Sequence, residues 1–285
     1  MRQTGCCTWI FGGEDLAVTA ARVRRVGLDG VELHGDVEGL DPALAGRILA
    51  DQGLAVFSIT PFGADIAHPD AAIRQAGLDY YRRLIDWVLK LENGTPRISV
   101  HGIVPRIRPV STQAEEDALL IESTQHVCDL AAQAGLPVVF ELLNRYESHQ
   151  VRTVAEGLAL LEQVGRANLK LLPDAYHMNI EEADPAAALL AGGEAIGLYH
   201  AADSNRGAIG DGHIDFAAQL RALDTIGYRG PIIIEPAAPG PDPFNTAKGE
   251  GFENMLEDIL TRSVRALRSL GDEIRHGEVS GGRSA

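Results

Sequence analysis

Four polar residues each close a short, mainly apolar run, and together their types could bind a metal ion. They are Glu141 after LPVVF, Asp174 after LKLLP, His200 after IGLY and Glu235 after PIII. The steps between them are 33, 26 and 35 residues, the size of one strand with its following helix. Because neighbouring parallel strands end at the same edge, we expect three carboxylates and one imidazole to meet there.

This set of side chains favours a divalent cation. Three carboxylates held close together cannot all stay ionised unless a positive charge lies between them. Three oxygen donors and one nitrogen suit Mn²⁺ best, followed by Mg²⁺ and Co²⁺, since Zn²⁺ more often has further His or Cys ligands. Any one of the four could be a salt-bridge partner or an interior histidine, but four matching strand ends indicate a metal site.

Three more polar residues follow the same strands. Glu147 lies six positions after Glu141, His177 three after Asp174, and Arg206 six after His200. Each would lie in a loop above a strand end. Residue type alone leaves two interpretations open, a solvated loop charge or a contact with a substrate bound over the metal.

Strand-like and helix-like stretches alternate along the whole chain. Strands are predicted at Gly5–Phe11, Gly30–His34, Ala55–Thr60, Arg97–Gly102, Pro137–Leu142, Leu169–Asp174, Gly197–Ala201 and Pro231–Glu235. Helices are predicted at Leu16–Val26, Pro42–Gln52, Ala71–Leu91, Gln113–Ala134, Val154–Val164, Pro185–Leu190, Phe216–Ile226 and Gly251–Leu270. Gly27, Gly53 and Gly135 each separate a helix from the next strand, as a glycine at a helix end does.

Eight such units predict an α/β fold, the (β/α)₈ TIM barrel, whose active sites lie at the carboxyl ends of the strands. The main alternative is a doubly wound open sheet. Gly12-Gly13 is a poor match to the GxGxxG loop of that fold, so no nucleotide cofactor is expected. No linker divides the chain. We therefore predict one domain over residues 1–274 and a disordered polar tail over 275–285.

Composition and charge exclude several classes of partner. The formal net charge is −15, which opposes nucleic-acid or anionic-membrane binding. No apolar run reaches the ~18 residues of a membrane-spanning helix. The N-terminus lacks the pattern of a secretory signal. Three cysteines, an odd number without a CxxC pair, favour a reducing compartment, so a cytoplasmic enzyme is expected.

Four segments of the chain resemble one enzyme family. FELLNRYE, PDAYHMNIEE, HAADSNRGAIGDGHIDF and IIIEP are similar to the ketose 3-epimerases, the D-tagatose and D-psicose (D-allulose) 3-epimerase group of the xylose isomerase-like barrels. The motifs run from Pro137 to Pro236, and the barrel-level resemblance covers nearly the whole chain. It implies a metal-dependent enzyme that interconverts C3 epimers of free ketoses through an enediolate, and a homodimer or homotetramer.

The resemblance also implies a role for each candidate residue. Glu141, Asp174, His200 and Glu235 would bind one divalent metal, usually Mn²⁺. Glu141 and Glu235 would also transfer the proton, one removing it from C3 and the other returning one to the opposite face. Contacts to the carbonyl-end oxygens of the sugar would come from Glu147, His177 and Arg206.

The N-terminal half departs from the family. The family usually has a small or Cys-bearing segment after strand three, where this chain has Ser58 to Phe62, and an aromatic wall after strand four, where it has His101-Gly102-Ile103. His34 and His101 end strands and could reach the barrel mouth. Trp9 and Phe11 could form an apolar wall or pack in the core. These departures leave the natural sugar open.

Three rival functions share this scaffold. An aldose–ketose, hydroxypyruvate or inosose isomerase, or an inosose dehydratase, could use the same four ligands. An endonuclease IV-like enzyme would need more histidines and a basic groove. A non-catalytic binding barrel would be expected to lack some of the ligands. The HMNIEE string favours the epimerase.

Overall fold

The computed structural model describes residues 2–238, 244 and 247–277, and within them eight parallel strands form a nearly closed barrel. The strands are β1 Thr4–Cys7, β2 Gly30–His34, β3 Ala55–Thr60, β4 Arg97–Val100, β5 Val138–Leu142, β6 Leu169–Pro173, β7 Tyr199–Ala201 and β8 Ile232–Ile234. They pair in the order β6-β5-β4-β3-β2-β1-β8-β7. Single bridges join Leu171 to Ile196 and Asp174 to His200, between β6 and the β7 side. The predicted TIM barrel is confirmed.

Helices cover the outside of this barrel. They are α1 Leu16–Val26, α2 Pro42–Asp51, α3 Ala71–Val88, α4 Gln113–Gln133, α5 Val154–Val164, α6 Ala175–Glu181, α7 Pro185–Gly192, α8 Phe216–Thr225 and α9 Phe252–His276. Because the strands are covered by helices on one side and filled by side chains on the other, β5 and β8 are buried at every residue. This explains their near-continuous Val, Ile and Phe composition.

Local sequence signals set most element boundaries. At the start of α1, the Asp15 side chain accepts a hydrogen bond from the Ala17 N–H, and Gly27 ends the helix with a φ of 88°. In α5, Thr153 and Glu156 form a reciprocal capping box. Both helices therefore span the residues predicted for them.

The first predicted strand is wrong in its second half. β1 ends at Cys7, and Trp9–Phe11 forms a short 3₁₀ helix. The Thr8 carbonyl accepts from the Phe11 N–H, which turns the chain away from the sheet. Gly12 then ends the 3₁₀ helix with a φ of 63°. As a result, the Trp9 side chain lies over the barrel mouth.

The C-terminal helix is longer than predicted, since α9 continues to His276. From residue 278 onward, the predicted tail 275–285 lies outside the described residues. Within the part of the chain that the structure describes, no helix is long and apolar enough to cross a membrane.

Candidate active site

The four predicted ligand residues meet at the carboxyl end of the barrel. Glu141 lies in β5, Asp174 directly follows β6, His200 lies in β7 and Glu235 directly follows β8. None is more than 6% exposed. One potential ligand atom from each residue lies within 4.8 Å of those of the other three. The described residues thus contain a possible buried metal site.

The imidazole of His200 is central to this cluster. Its Nδ1 atom lies 3.3 Å from Glu235 Oε2, 3.4 Å from Glu141 Oε1 and 3.8 Å from Asp174 Oδ2. Three carboxylate oxygens from three different strands therefore surround one ring nitrogen. A cation between them would be reached by one atom from each residue.

The two carboxylate oxygens of Asp174 have different surroundings. Its Oδ1 accepts hydrogen bonds from the backbone N–H groups of Tyr176 (2.6 Å) and His177 (3.2 Å), which starts helix α6. Its Oδ2 is buried and has no hydrogen-bond partner within the described part of the chain. A buried carboxylate oxygen without a partner is costly. This oxygen faces the His200 ring, which fits a cation ligand.

The charges in the cluster are unbalanced without a cation. Burial raises the pKa of Asp174, and the negative charge of Glu235 raises it further. Burial alone would raise the pKa of Glu235 too, but His200 and Arg206 outweigh it and hold that pKa well below the usual range. Although burial opposes the charged imidazole, Glu32 and Glu235 raise the pKa of His200 well above its ordinary value. The site therefore favours positive charge among its carboxylates.

The three candidate substrate residues lie beside this cluster. Arg206 donates to Glu147 Oε1 and to Glu235 Oε2, both at 3.1 Å. Its guanidinium carbon lies 4.7 Å from the centroid of the Tyr176 ring and 5.8 Å from that of Trp9. The Arg206 guanidinium thus contacts a carboxylate of the cluster and lies close to two aromatic rings.

His177 presents a free ring nitrogen. The Asn144 amide lies 2.7 Å from its Nδ1 atom, and Nε2 is buried with no hydrogen-bond partner among the described residues. Burial and the charge of Arg206 lower the pKa of His177 well below its ordinary value, so the ring is neutral. With Nδ1 accepting from Asn144, the ring proton is on Nε2 and is available to a ligand oxygen.

A buried carboxylate, that of Asp203, organises the loop after β7 that contains Arg206. Asp203 accepts hydrogen bonds from the backbone N–H groups of Ser204 (2.7 Å), Gly210 (2.7 Å) and Ile214 (3.2 Å). Arg206 itself adopts a left-handed φ of 55°. Its carbonyl accepts from the Ala237 N–H at 2.9 Å, which fixes the loop to the end of β8.

Sequence reasoning missed two side chains that contact the cluster of proposed ligands, those of Glu32 and Cys7. Glu32 of β2 is 1% exposed, and its Oε2 lies 3.1 Å from His200 Nε2. The Cys7 thiol lies 3.3 Å from Glu235 Oε1. A signal for Glu32 existed, because a glutamate inside the apolar strand GVELH is as unusual as one at a strand end.

The sequence left open whether four residues near the N-terminal strands reach the barrel mouth or pack in the core, and the structure gives each of them different contacts. Trp9 donates its indole N–H to Glu235 Oε1 at 2.8 Å, so it is more than an apolar wall. Phe11 is buried in the core. The His34 ring lies against Phe62, with ring centroids 4.9 Å apart, and His101 Nδ1 lies 2.7 Å from the Gly102 carbonyl.

Comparisons with known proteins agree on one family. The model of the xylose isomerase-like TIM barrel family matches residues 20–268. An L-ribulose 3-epimerase of Methylomonas sp. (strain DH-1) is 35% identical over 230 residues, which are 80% of this chain and 79% of that protein. A ketose 3-epimerase of Arthrobacter globiformis is 32% identical over 228 residues, covering 79% of this chain and 78% of its own. The crystal structure of a D-allulose 3-epimerase from Methylomonas sp. superimposes with a TM-score of 0.80 at 28% identity, over 94% of this chain and 98% of that one.

Proposed function

Because the chain belongs to the xylose isomerase-like TIM barrel family and to its ketose 3-epimerases, we propose that it interconverts free ketoses at C3 with the help of a divalent metal. It is an isomerase-class enzyme. The observation that carries the proposal is the placement of Glu141 and Glu235 on strands three apart in the barrel, with both carboxylates beside the same His200 nitrogen.

We assign the metal to Glu141, Asp174, His200 and Glu235, with Mn²⁺ as the first choice and Co²⁺ or Mg²⁺ as alternatives. The unpartnered Asp174 Oδ2 and the crowding of three carboxylates support this assignment. When bound, such an ion polarises a ketose carbonyl and stabilises negative charge that develops on its oxygen. Three oxygen donors with one imidazole suit ions of this hardness.

Glu141 and Glu235 form the proton-transferring pair of the proposal. Inversion at C3 requires that a proton leave one face of the sugar and another arrive on the opposite face. Two carboxylates on β5 and after β8 flank the barrel mouth and can serve the two faces. One acts as the base and the other as the acid, and the roles exchange when the reaction runs backward.

We assign the binding of the carbonyl end of the sugar to Glu147, His177 and Arg206. The neutral His177 ring has a buried Nε2–H without a protein partner among the described residues, which suits a sugar oxygen. Arg206 offers a guanidinium fork with fixed geometry between Glu147 and Glu235. Glu147 accepts from sugar hydroxyls and holds Arg206 in place. Together they orient C3 between the two proton-transferring carboxylates.

The experiment that tests this function follows hydrogen exchange by NMR. The Mn²⁺-loaded enzyme is incubated in D₂O with D-fructose, D-psicose, D-tagatose or L-ribulose. Deuterium at C3 together with the 3-epimer is the expected result. Exchange at C1 with an aldose product would indicate an aldose–ketose isomerase instead of an epimerase. No exchange with any ketose would overturn the proposal.

We propose in addition that the enzyme acts in the cytoplasm as a homodimer or homotetramer. All three cysteines are free and buried, as in a reducing compartment. Ile107, Val110 and Tyr146, in the loops after β4 and β5, are between 52% and 71% exposed and suit an interface between copies. Light scattering in solution tests the assembly, and a monomeric mass would contradict it.

A further inference from the structure

Glu32 lies on the far side of His200 from the proposed metal. His200 Nδ1 faces Glu141, Asp174 and Glu235, whereas its Nε2 lies 3.1 Å from Glu32 Oε2. The two residues are 168 positions apart in the chain. Both side chains are almost fully buried, so water does not compete for this contact. The Glu32 carboxylate and the His200 imidazole are thus in direct contact inside the barrel.

The Glu32 carboxylate is held by residues of two neighbouring strands. The Ser58 hydroxyl donates to Oε2 at 2.6 Å, and the Thr60 hydroxyl donates to Oε1. The Cys7 thiol lies 3.4 Å from Oε1. Both oxygens therefore have donors, and the carboxylate has little freedom to rotate. Ser58 and Thr60 belong to the β3 segment at which this chain departs from the family pattern.

An alternative use of Glu32 would be a second metal site. Cys7, Glu32, His200 and Glu235 also bring potential ligand atoms within 4.8 Å of one another. However, both oxygens of Glu32 already accept hydrogen bonds from hydroxyl groups, those of Ser58 and Thr60. In the first cluster, by contrast, Asp174 Oδ2 has no partner among the described residues and is free to bind a cation. The geometry favours a hydrogen-bonded partner of His200 over a second metal.

We propose that Glu32 is a positioning residue, which accepts the Nε2–H of His200 and so leaves the Nδ1 lone pair directed at the metal. The inference rests on the proposed function, because it requires His200 to be a ligand. A ligating histidine is generally fixed in this way by a hydrogen bond from its second ring nitrogen to a carboxylate or carbonyl. Ser58 and Thr60 extend the contact, so that β2 and β3 orient a ligand on β7.

The test measures Mn²⁺ affinity directly, by electron paramagnetic resonance of the free ion during titration. Variants E32Q, E32A and S58A are compared with the wild-type enzyme. Loss of a partner of this kind weakens metal binding by about 10- to 100-fold, so we expect E32Q near the lower and E32A near the upper value. S58A, which keeps the carboxylate but removes one of its donors, should give a smaller loss in the same direction.

E116Q is the matched control. Glu116 is also a fully buried carboxylate, yet it pairs with Arg106 and His149 instead of the ligand residues. Both E116Q and E32Q should lower the unfolding temperature of the metal-free protein, but only E32Q should change the Mn²⁺ dissociation constant. A purely structural role of Glu32 would lower stability and leave the affinity of the folded protein unchanged.

The outcomes separate this inference from the proposed function. If the wild-type enzyme binds Mn²⁺ and D174N does not, the metal site stands. Folded E32Q and S58A with wild-type affinity would then overturn the positioning role alone. If D174N binds Mn²⁺ as tightly as the wild type, the metal assignment fails and the role of Glu32 fails with it.

Discussion

Glu235 accepts hydrogen bonds on both carboxylate oxygens, from Trp9 and Cys7 on Oε1 and from Arg206 on Oε2. These donors fix its direction, whereas a glutamine in its place would carry no charge and could not accept a proton. We expect E235Q and E141Q each to lower kcat by about 100-fold or more, the contribution of a positioned acid or base. The rate of deuterium incorporation at C3 measures the loss.

Circular dichroism and the unfolding temperature provide the control for both variants. We expect the fold to persist, because each substitution keeps the size of the side chain. A near-normal rate in either folded variant would contradict a mechanism with two carboxylates.

Which site residues the sequence could predict depends on how local their signal is. Glu141, Asp174, His200 and Glu235 were predicted together because each interrupts an apolar run at its end, a feature visible within a few residues. Glu32 also lies in an apolar strand, but its role depends on His200, which is far away in sequence. A single sequence gives no information on such a pairing, and only the barrel brings the two residues together.

At the scale of elements, the conformation of the loop from Asp203 to Ile214 depends on the carboxylate of Asp203. We expect D203A to lower kcat/KM for the preferred ketose by about 10- to 100-fold, equivalent to about 1.4–2.7 kcal/mol, because Arg206 loses its fixed position. Mn²⁺ affinity should not change. Steady-state kinetics with a metal titration measures both quantities.

D215A is the control for this loop. Asp215 caps helix α8 by accepting from the Ala218 N–H at 2.8 Å, so its loss costs about 1 kcal/mol of stability. Its kcat/KM should stay near that of the wild type. Equal kinetics for D203A and D215A would show that the Asp203 hydrogen bonds do not position Arg206.

The start of helix α4 contains a buried ionic network with a defined pH dependence. Burial alone would raise the pKa of Glu116, but a hydrogen bond from the Ser111 N–H and the charge of Arg106 outweigh it and lower that pKa. The folded state therefore favours the ionised form. The stabilisation from the ionised Glu116 carboxylate is present above the unfolded-state pKa of about 4.3. It is lost as the pH falls through the lower pKa that Glu116 has in the folded state.

We expect E116Q to reduce the free energy of unfolding by about 1.5–3 kcal/mol at pH 7, the range for hydrogen bonds to a charged group. The difference between the variant and the wild type should shrink as the pH is lowered below about 4. Urea unfolding at several pH values measures it. A difference that is constant from pH 7 to pH 3 would contradict the ionised carboxylate.

Element boundaries were predictable where composition changes sharply. β2, β3, α1 and α5 span the residues predicted for them, because glycines and capping side chains bound them. Helix α6, at Ala175–Glu181, was not predicted. It is only seven residues long and starts from the side chain of Asp174, so its formation depends on the site more than on hydrophobic periodicity.

For the whole molecule, we expect the proposed metal ion to affect both activity and stability. We expect thorough chelation to abolish turnover, and Mn²⁺ or Co²⁺ to restore it. At a metal concentration 100 times the dissociation constant, binding adds about 2.7 kcal/mol to stability. Since about 1 kcal/mol shifts the midpoint of a chain of this size by about 2–4 °C, chelation should lower it by several degrees. Calorimetry with and without metal tests this, and unchanged activity after chelation would contradict the metal assignment.

Among the described residues, β6 and the β7 side of the barrel are joined by isolated bridges instead of a continuous strand pairing, and we call this junction the seam. One of the bridges pairs Asp174 with His200. Two proposed ligands therefore stand on opposite sides of the seam, and an ion held by both would cross-link it. We expect the amides of Tyr199–Ala201 to exchange with deuterium faster in the metal-free enzyme, while those of β2 change little; equal rates would contradict this. Metal supply would then control how much folded enzyme a cell maintains, because chains without the ion would open at this seam and be degraded first.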